Sequence, residues 1–134
     1  MKAIIYSSIF LVLSACTLTD NGVIINKPTI PQVNVCENVA SDSDVTIMKE
    51  KIEAQAFKDE RMQTAKMVTK GYCFSANQVV SVMQSMIFPD ARLEIAKDLY
   101  DQCTDRNNYD VVVNSLVHKS DRDELREYIA NHPL

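Results

Sequence analysis

A ten-residue frame occurs twice in this chain and constrains its fold more than any other feature. The frame reads Phe-x-Asp-x-Arg-apolar-x-x-Ala-Lys, and it covers residues 57–66 and, at an offset of 31, residues 88–97. A fainter third copy follows 30 residues later, with Arg122 in the place of Arg92. Because one helix pair cannot bury its apolar face alone, units repeated at this length are expected to stack on each other.

From Ser43 onward, apolar residues recur at the spacing of an amphipathic helix. The six predicted buried faces are Val45, Met48, Ile52; Met62, Ala65, Val68; Val79, Val82, Met83, Met86; Leu93, Ala96, Leu99, Tyr100, Cys103; Tyr109, Val112, Val113, Leu116; and Leu125, Tyr128, Ile129. With only two Gly in the chain, tight β-hairpins have little support. The sequence predicts an all-α fold of about six short helices, arranged as three stacked helical hairpins of about 30 residues.

Residues that favour helix ends separate these segments. Ser75 and Gln78 form a capping-box pattern, in which a Ser side chain accepts from the backbone and a Gln side chain reaches back. Gly71 stands where a C-terminal glycine would stop the second helix. Pro89 disfavours helix at the preceding residue. The residues expected near the starts of the last three helices are Asp90, Asp105 with Asn108, and Ser120 with Asp123.

The N-terminus has the composition of an export signal. Lys2 precedes a mostly apolar stretch over residues 3–13, which is shorter than the roughly 20 residues of a membrane-spanning helix. The next residues complete a sequence that resembles the lipobox of bacterial lipoproteins, in which the Cys is acylated and becomes the first mature residue. That lipobox consists of Leu13, Ser14, Ala15 and Cys16. An ordinary secretory signal that releases a soluble protein is the alternative.

The expected organisation is a signal peptide over residues 1–15, the lipidated Cys16 with an irregular tether over 16–43, and a helical repeat domain over 44–134. The tether is either a mobile spacer or includes a short strand that docks on the domain. The lipobox resemblance implies that a lipid bilayer is a partner, through acylated Cys16, in the bacterial cell envelope. Thr17 stands where an Asp would retain a lipoprotein at the inner membrane, which favours the outer membrane.

Charge and cysteine spacing narrow the candidate partners. The net charge is −4, and no run of Lys or Arg exceeds two residues, so nucleic acid is not an expected partner. Beyond Cys16, three cysteines remain, with spacings that do not fit a zinc site. Cys73 and Cys103 occupy corresponding places in the repeat and are the predicted disulfide, with two buried thiols as the alternative. The role of Cys36 stays open.

Three arginines at equivalent repeat positions form the one candidate binding site. Arg61, Arg92 and Arg122 would form a row in a stacked fold, which could bind a carboxylate or a polyanion. The alternative is that each pairs with a neighbouring acid, of which the candidates are Asp59, Asp90 and Asp121. The methionines on the predicted apolar faces fit core positions better than a copper site, and they are Met48, Met62, Met83 and Met86. No catalytic residue, metal ligand or cofactor is predicted.

Several motifs together resemble one bacterial family. The matching residues are Phe74, Ser75 and Gln78, the run 92–97, Tyr100, the run 105–109, Asp123 to Leu125, and Tyr128 with Ile129. They are similar to a domain of unknown function that is common in small lipoproteins and exported proteins of Gram-negative bacteria. The resemblance implies an all-helical module and carries over no catalytic residue. Within it, the run 105–109 is interpreted as the start of a helix, with a polar binding loop as the alternative.

The resulting hypothesis is a membrane-anchored, non-enzymatic module that binds an envelope protein or polymer. A small hydrolase or metal-dependent enzyme of the envelope is the first alternative, and a purely structural envelope protein is the second. A deep pocket with converging His, Asp or Glu would favour the enzyme, and a shallow apolar or Arg-lined groove would favour the binding module. A purely structural protein would expose no apolar patch.

Overall fold

The computed structural model describes residues 36–133, which form six α-helices and no β-strand. The helices are α1 Asp42–Glu53, α2 Lys58–Thr69, α3 Ala76–Gln84, α4 Pro89–Tyr100, α5 Asp110–Ser115 and α6 Lys119–Asn131, with a short 3-10 helix, Arg106–Asn108, before α5. The predicted all-α fold is confirmed. The predicted signal peptide, Cys16 and most of the tether lie outside the described residues.

The helices pack in two layers. Within the repeats, α1 contacts α2, α3 contacts α4 and α5 contacts α6. Between repeats, the first helices contact each other in the order α1, α3, α5, and the second helices in the order α2, α4, α6. Because each pair turns back on itself, the three loops within pairs lie at one end of these layers. We call residues 53–61, 85–92 and 116–122 the loop end.

The apolar faces form one continuous core. The residues predicted to be buried are buried, except that Val68, Tyr128 and Ile129 are half-buried against the same core. Phe74 and Tyr109 are the largest fully buried side chains. The Tyr109 hydroxyl donates to the carbonyl oxygen of Ala96 at 2.5 Å, so the one polar atom of this ring is satisfied inside the core.

Helix starts follow the sequence in some places and depart from it in others. The Ser75–Gln78 capping box is confirmed, and Gly71, which directly follows the C-cap residue of α2, has a φ of 82°. A second capping box, Ser41 with Asp44, begins α1 two residues before the predicted boundary. The expectation for Ser120 is wrong, since α6 begins after His118, which makes no side-chain cap.

Three short segments meet at the end opposite the loops. In the first parallel bridge, the Ala40 amide donates to the Cys73 carbonyl and the Cys73 amide donates to Asn38, both at 2.9 Å. In the second, the Phe74 amide donates to the Gln102 carbonyl and the Thr104 amide donates to the Phe74 carbonyl, both at 2.9 Å. Phe74 therefore lies opposite Cys103. These bridges bring the starts of α1, α3 and α5 together, and they attach the last residues of the predicted tether to the domain.

The disulfide joins Cys36 to Cys73, with their Cα atoms 6.0 Å apart, so the predicted pairing of Cys73 with Cys103 is wrong. Cys103 keeps a free, buried thiol. The reason lies in the register of the second bridge, which sets Cys103 opposite Phe74 rather than opposite Cys73. Because successive side chains of an extended segment point to opposite faces, Cys73 points away from the face that Cys103 shares with Phe74.

Ion pairs cross between the second helices of the repeats. Lys58 pairs with Asp90, Lys66 with Glu94 at 2.7 Å, and Lys97 with Glu124 at 2.6 Å. Most of these side chains are exposed, so each pair contributes little to stability. The pairs link α2 to α4 and α4 to α6.

Candidate binding groove

An open groove of about 580 Å³ runs between α1 and α2. Its lining residues are Asp44, Ile47, Met48, Lys51, Gln55, Thr64, Met67, Val68 and Tyr72. The groove is shallow, and it mixes apolar side chains with single charges. Such a surface is suited to holding an extended or helical partner along two helices.

The groove exists because the first helix pair has a neighbouring pair on one side. α1 and α2 pack against α3 and α4, and the described residues place no further helix on their other face. Ile47 and Met67 are therefore exposed, Met67 with 71% of its surface open to solvent, whereas Met48 is buried. An exposed Met offers a flexible and polarizable contact surface. The position of Met67 outside the predicted buried face was the signal in the sequence for this site.

The charged groups in the groove serve the helix as well. Asp44 accepts a hydrogen bond from the Ser41 side chain at 2.6 Å and from the Ser41 amide at 2.9 Å. These bonds hold the pKa of Asp44 below its ordinary value. Asp44 is thus a fixed negative charge at the start of α1, and Lys51 is a positive charge two turns further along the same helix.

The three repeat arginines contact backbone carbonyl groups. Arg61 donates to Gln55 from Nε and to Ser85 from Nη1, both at 2.8 Å, and to Glu53 at 3.1 Å. The other two arginines do the same in their own loops: Arg92 donates to Met86 at 2.8 Å, and Arg122 donates to Leu116 at 2.8 Å and to Val117 at 2.9 Å. Each guanidinium therefore caps the end of the preceding helix.

Pairing of these arginines with neighbouring acids, the alternative considered from the sequence, is wrong. Asp90 pairs with Lys58 instead. Each of the three arginines donates to the carbonyl of the residue six positions before it. That carbonyl is an unpaired acceptor at a helix end, which a guanidinium satisfies well. The anion-binding row stays a prediction, and an anion would compete with these carbonyls for the same donors.

The run 105–109 begins a helix, but Asp105 acts on a different helix from the one expected. Its Oδ1 accepts from the Ala76 amide, in the first turn of α3, at 2.6 Å. Burial raises the pKa of Asp105, but hydrogen bonds from the Ala76 amide, Asn108 and Cys103 lower it more, so the pKa lies below its ordinary value. Asp105 therefore ties the third repeat to the second.

Cys103 and the two histidines lie outside the groove. Burial raises the pKa of the Cys103 thiol to about 11, so the reactive thiolate is scarce at neutral pH. His118 is exposed at the start of α6, and the His132 ring stacks on Tyr128 with centroids 4.0 Å apart. Between residues 36 and 133, no group of three or more His, Cys, Asp and Glu is placed to hold a metal ion.

Two comparisons return no match: neither a curated protein nor a solved structure is significantly similar to this chain. In the part of the chain that the structure describes, no helix has the length and apolar character needed to cross a membrane. A family match covers residues 39–129, which is most of the chain and nearly all of the described domain. On that match, the chain belongs to the family defined by the domain of unknown function DUF4476.

Proposed function

We propose that this protein is an envelope lipoprotein, anchored through acylated Cys16, whose helical domain is a non-enzymatic module that binds a partner protein. The observation that carries the binding role is the groove between α1 and α2, with Ile47 and Met67 exposed along it. Exposed apolar side chains that lie together mark interaction surfaces, and Ile47 and Met67 line the same groove. They count against a purely structural role, for which no such surface is needed.

The groove favours binding over catalysis because of what lines it. It is shallow, and its carboxylate, Asp44, is already held in the capping box of α1. Active sites instead tend to be deep pockets in which several titratable groups converge. The occupant we propose is an amphipathic helix of a partner protein, since two adjacent helices present a groove that accepts an apolar helix face.

The anchor rests on the sequence Leu13 to Cys16, which lies outside the described residues. Each buried CH₂ of an acyl chain contributes about 0.8 kcal/mol, and stable attachment takes more than one chain. A lipoprotein with a diacylglycerol and an N-acyl group on Cys16 would stay attached to its membrane. Thr17, in place of Asp, favours the outer membrane as its location.

Fractionation of cells that express the Cys16→Ala variant tests the anchor. We expect the wild-type protein in the membrane fraction, with an acylated N-terminal Cys by mass spectrometry, and the variant in the soluble fraction. A variant that remains in the membrane fraction, or a wild-type Cys16 that carries no acyl group, would contradict the anchor.

Site-specific crosslinking in intact cells tests the groove. A photo-reactive amino acid at Met67 is expected to give a defined crosslinked protein, and the same band should disappear when Ile47→Asp is added. The matched control carries the photo-reactive group at Val111, which is exposed on α5, far along the layers from α1. Equal crosslinking from both positions, or a Met67 band that Ile47→Asp leaves intact, would contradict a binding role for the groove.

A further inference from the structure

The loop end exposes an apolar residue in each of its three loops. Phe57 is 69% exposed, Ile87 59%, Phe88 44% and Val117 66%. Phe57 and Phe88 occupy the same position, directly before the second helix of their pairs, and Ile87 and Val117 occupy the position before that. Half of the large exposed apolar residues of the described domain are thus concentrated at one end of it.

Local helix chemistry does not explain these residues. Phe57 and Phe88 are the N-cap residues of α2 and α4, and neither makes a side-chain capping bond. Ser, Thr, Asp or Asn is preferred at that position because its side chain satisfies a free backbone amide. An aromatic residue there gives up that stabilisation and leaves much of its ring exposed to water, although the Lys58 ammonium lies 6.0 Å from the centroid of the Phe88 ring. A contact outside the helix gives the ring an apolar environment.

The loops that carry these residues are held in place. Arg61, Arg92 and Arg122 fix each loop by bonds from their guanidinium groups to carbonyls of the preceding helix end. Arg61 also bonds to Ser85 and so joins the first loop to the second. The apolar side chains therefore project from a preorganised surface, so that little conformational entropy is lost when this surface is covered.

The charge of the loop end is balanced, although the chain as a whole carries −4. Its five basic residues are Lys58, Arg61, Arg92, Lys119 and Arg122, and its five acidic residues are Glu53, Asp59, Glu60, Asp90 and Asp121. Balanced charge neither attracts nor repels an anionic surface strongly. An apolar, electrically balanced end is compatible with a surface of neutral lipid, and it offers no net charge for a polyanion.

The length of chain before the domain allows this end to reach a bilayer. Nineteen residues separate Cys16 from Cys36, and a chain of that length spans at most about 65 Å when extended. Cys36 is fixed by its disulfide at the end opposite the loops. The 12 residues of α1 separate the two ends, which is about 18 Å of helix. The tether is long enough to run past the domain and reach lipid on the loop side.

We propose that the loop end lies on the membrane surface, with Phe57, Ile87, Phe88 and Val117 inserted at the boundary between headgroups and acyl chains. This orientation rests on the proposed acyl anchor, which keeps the domain close to lipid. Apolar and aromatic side chains bind at that boundary in proportion to the apolar area they bury. In this orientation the groove between α1 and α2 runs along the side of the domain and remains open to a partner.

The chain contains no Trp, so a single introduced Trp reports its own surroundings. Phe57→Trp places the probe at the loop end, and Met67→Trp places a matched probe at an equally exposed position in the groove. Acylated, full-length protein is reconstituted in phosphatidylcholine vesicles with and without brominated lipid. We expect a blue-shifted emission and several-fold stronger quenching for Phe57→Trp than for Met67→Trp, at low and at high salt.

Equal quenching of the two probes, or no quenching of either, overturns this orientation. A Phe57 probe that is unquenched by lipid but crosslinks to a protein in cells overturns it in favour of a protein contact. Failure of the anchor is recognised separately, by the mass of the N-terminal residue. If Cys16 carries no acyl group, the same two variants are coupled at Cys16 to a maleimide lipid, and the quenching ratio still decides the orientation.

Discussion

Arg92 donates a hydrogen bond from Nε to the carbonyl oxygen of Met86, six residues earlier, at 2.8 Å. Arg61 makes the same contact with Gln55, and Arg122 makes it with Leu116 from Nη1. In each repeat the arginine is the fourth residue after the N-cap of the second helix. The Arg of the repeated frame thus closes the loop between two helices, and this explains its recurrence.

Replacement of Arg61 by Met is expected to destabilise the domain by about 1–3 kcal/mol, because hydrogen bonds from a charged donor to three carbonyls are lost. Met retains much of the apolar stem of the side chain, so the change isolates the guanidinium. Arg92→Met is the matched comparison and should lower the stability less, since Arg92 makes one such hydrogen bond within the part of the chain that the structure describes. Urea unfolding measures both. An equal loss in the two variants would contradict the special role of Arg61 in joining two loops.

Leu99 lies fully buried in α4, and its truncation tests the core. Leu99→Ala is expected to lower the free energy of unfolding by about 2–5 kcal/mol, through lost burial and the cavity left behind. Ile87→Ala is the control, because Ile87 is exposed at the loop end, and its change should stay within about 0.5 kcal/mol in the absence of lipid. A Leu99→Ala change as small as the control would show that this face is not buried.

The disulfide between Cys36 and Cys73 closes a segment with a sequence separation of 37. Cys36→Ser is expected to lower the stability by about 3–4 kcal/mol, because the unfolded chain gains freedom when this loop opens. Cys103→Ala is the control that leaves the disulfide in place. Peptide mapping without reductant should recover residues 36 and 73 in one linked fragment. A linked fragment that contains Cys103 would refute this connectivity.

Gly71 follows α2 with a φ of 82°, a conformation that an L-residue adopts with strain. A Cβ at this position would have no atom within 4 Å, so no steric clash adds to the backbone effect. Gly71→Ala should therefore cost about 1–2 kcal/mol, and Gly71→Asn less, since Asn tolerates the left-handed region better. Thermal unfolding of the two variants measures the difference. If Gly71→Asn were as destabilising as Gly71→Ala, the positive φ at this position would not be the cause of the stability loss.

Asp105 gives the stability a pH dependence with a defined sign. Its pKa in the folded state lies below the ordinary value, so its contribution is complete above the unfolded pKa and is lost as the pH falls through the folded pKa. Asp105→Asn should lower stability by about 1–2 kcal/mol at pH 7, because a charge-assisted bond to the Ala76 amide is weakened. The difference in unfolding free energy between the wild type and Asp105→Asn should disappear in acid. Asp59→Asn, on the exposed surface of α2, is the control and should change the stability at pH 7 by no more than about 0.5 kcal/mol.

Local sequence determined the helical part of this fold. The spacing of apolar residues predicted the buried faces, since an amphipathic helix needs its apolar residues at the same 3.6-residue period wherever it packs. The Ser75–Gln78 capping box and the stop at Gly71 were predictable because their partners lie within a few residues. The repeated frame was visible in the sequence, and it marked the residues that join each pair of helices.

Only the tertiary structure decided which distant groups meet. Cys73 pairs with Cys36, and Asp105 caps α3, because two parallel bridges set the register of three segments far apart in the chain. A shift of one residue would exchange the faces on which these side chains lie, and nothing in the local sequence fixes that shift. Exposure is decided in the same way: Met67 and Phe57 are open to solvent because no neighbouring element of the described domain covers them.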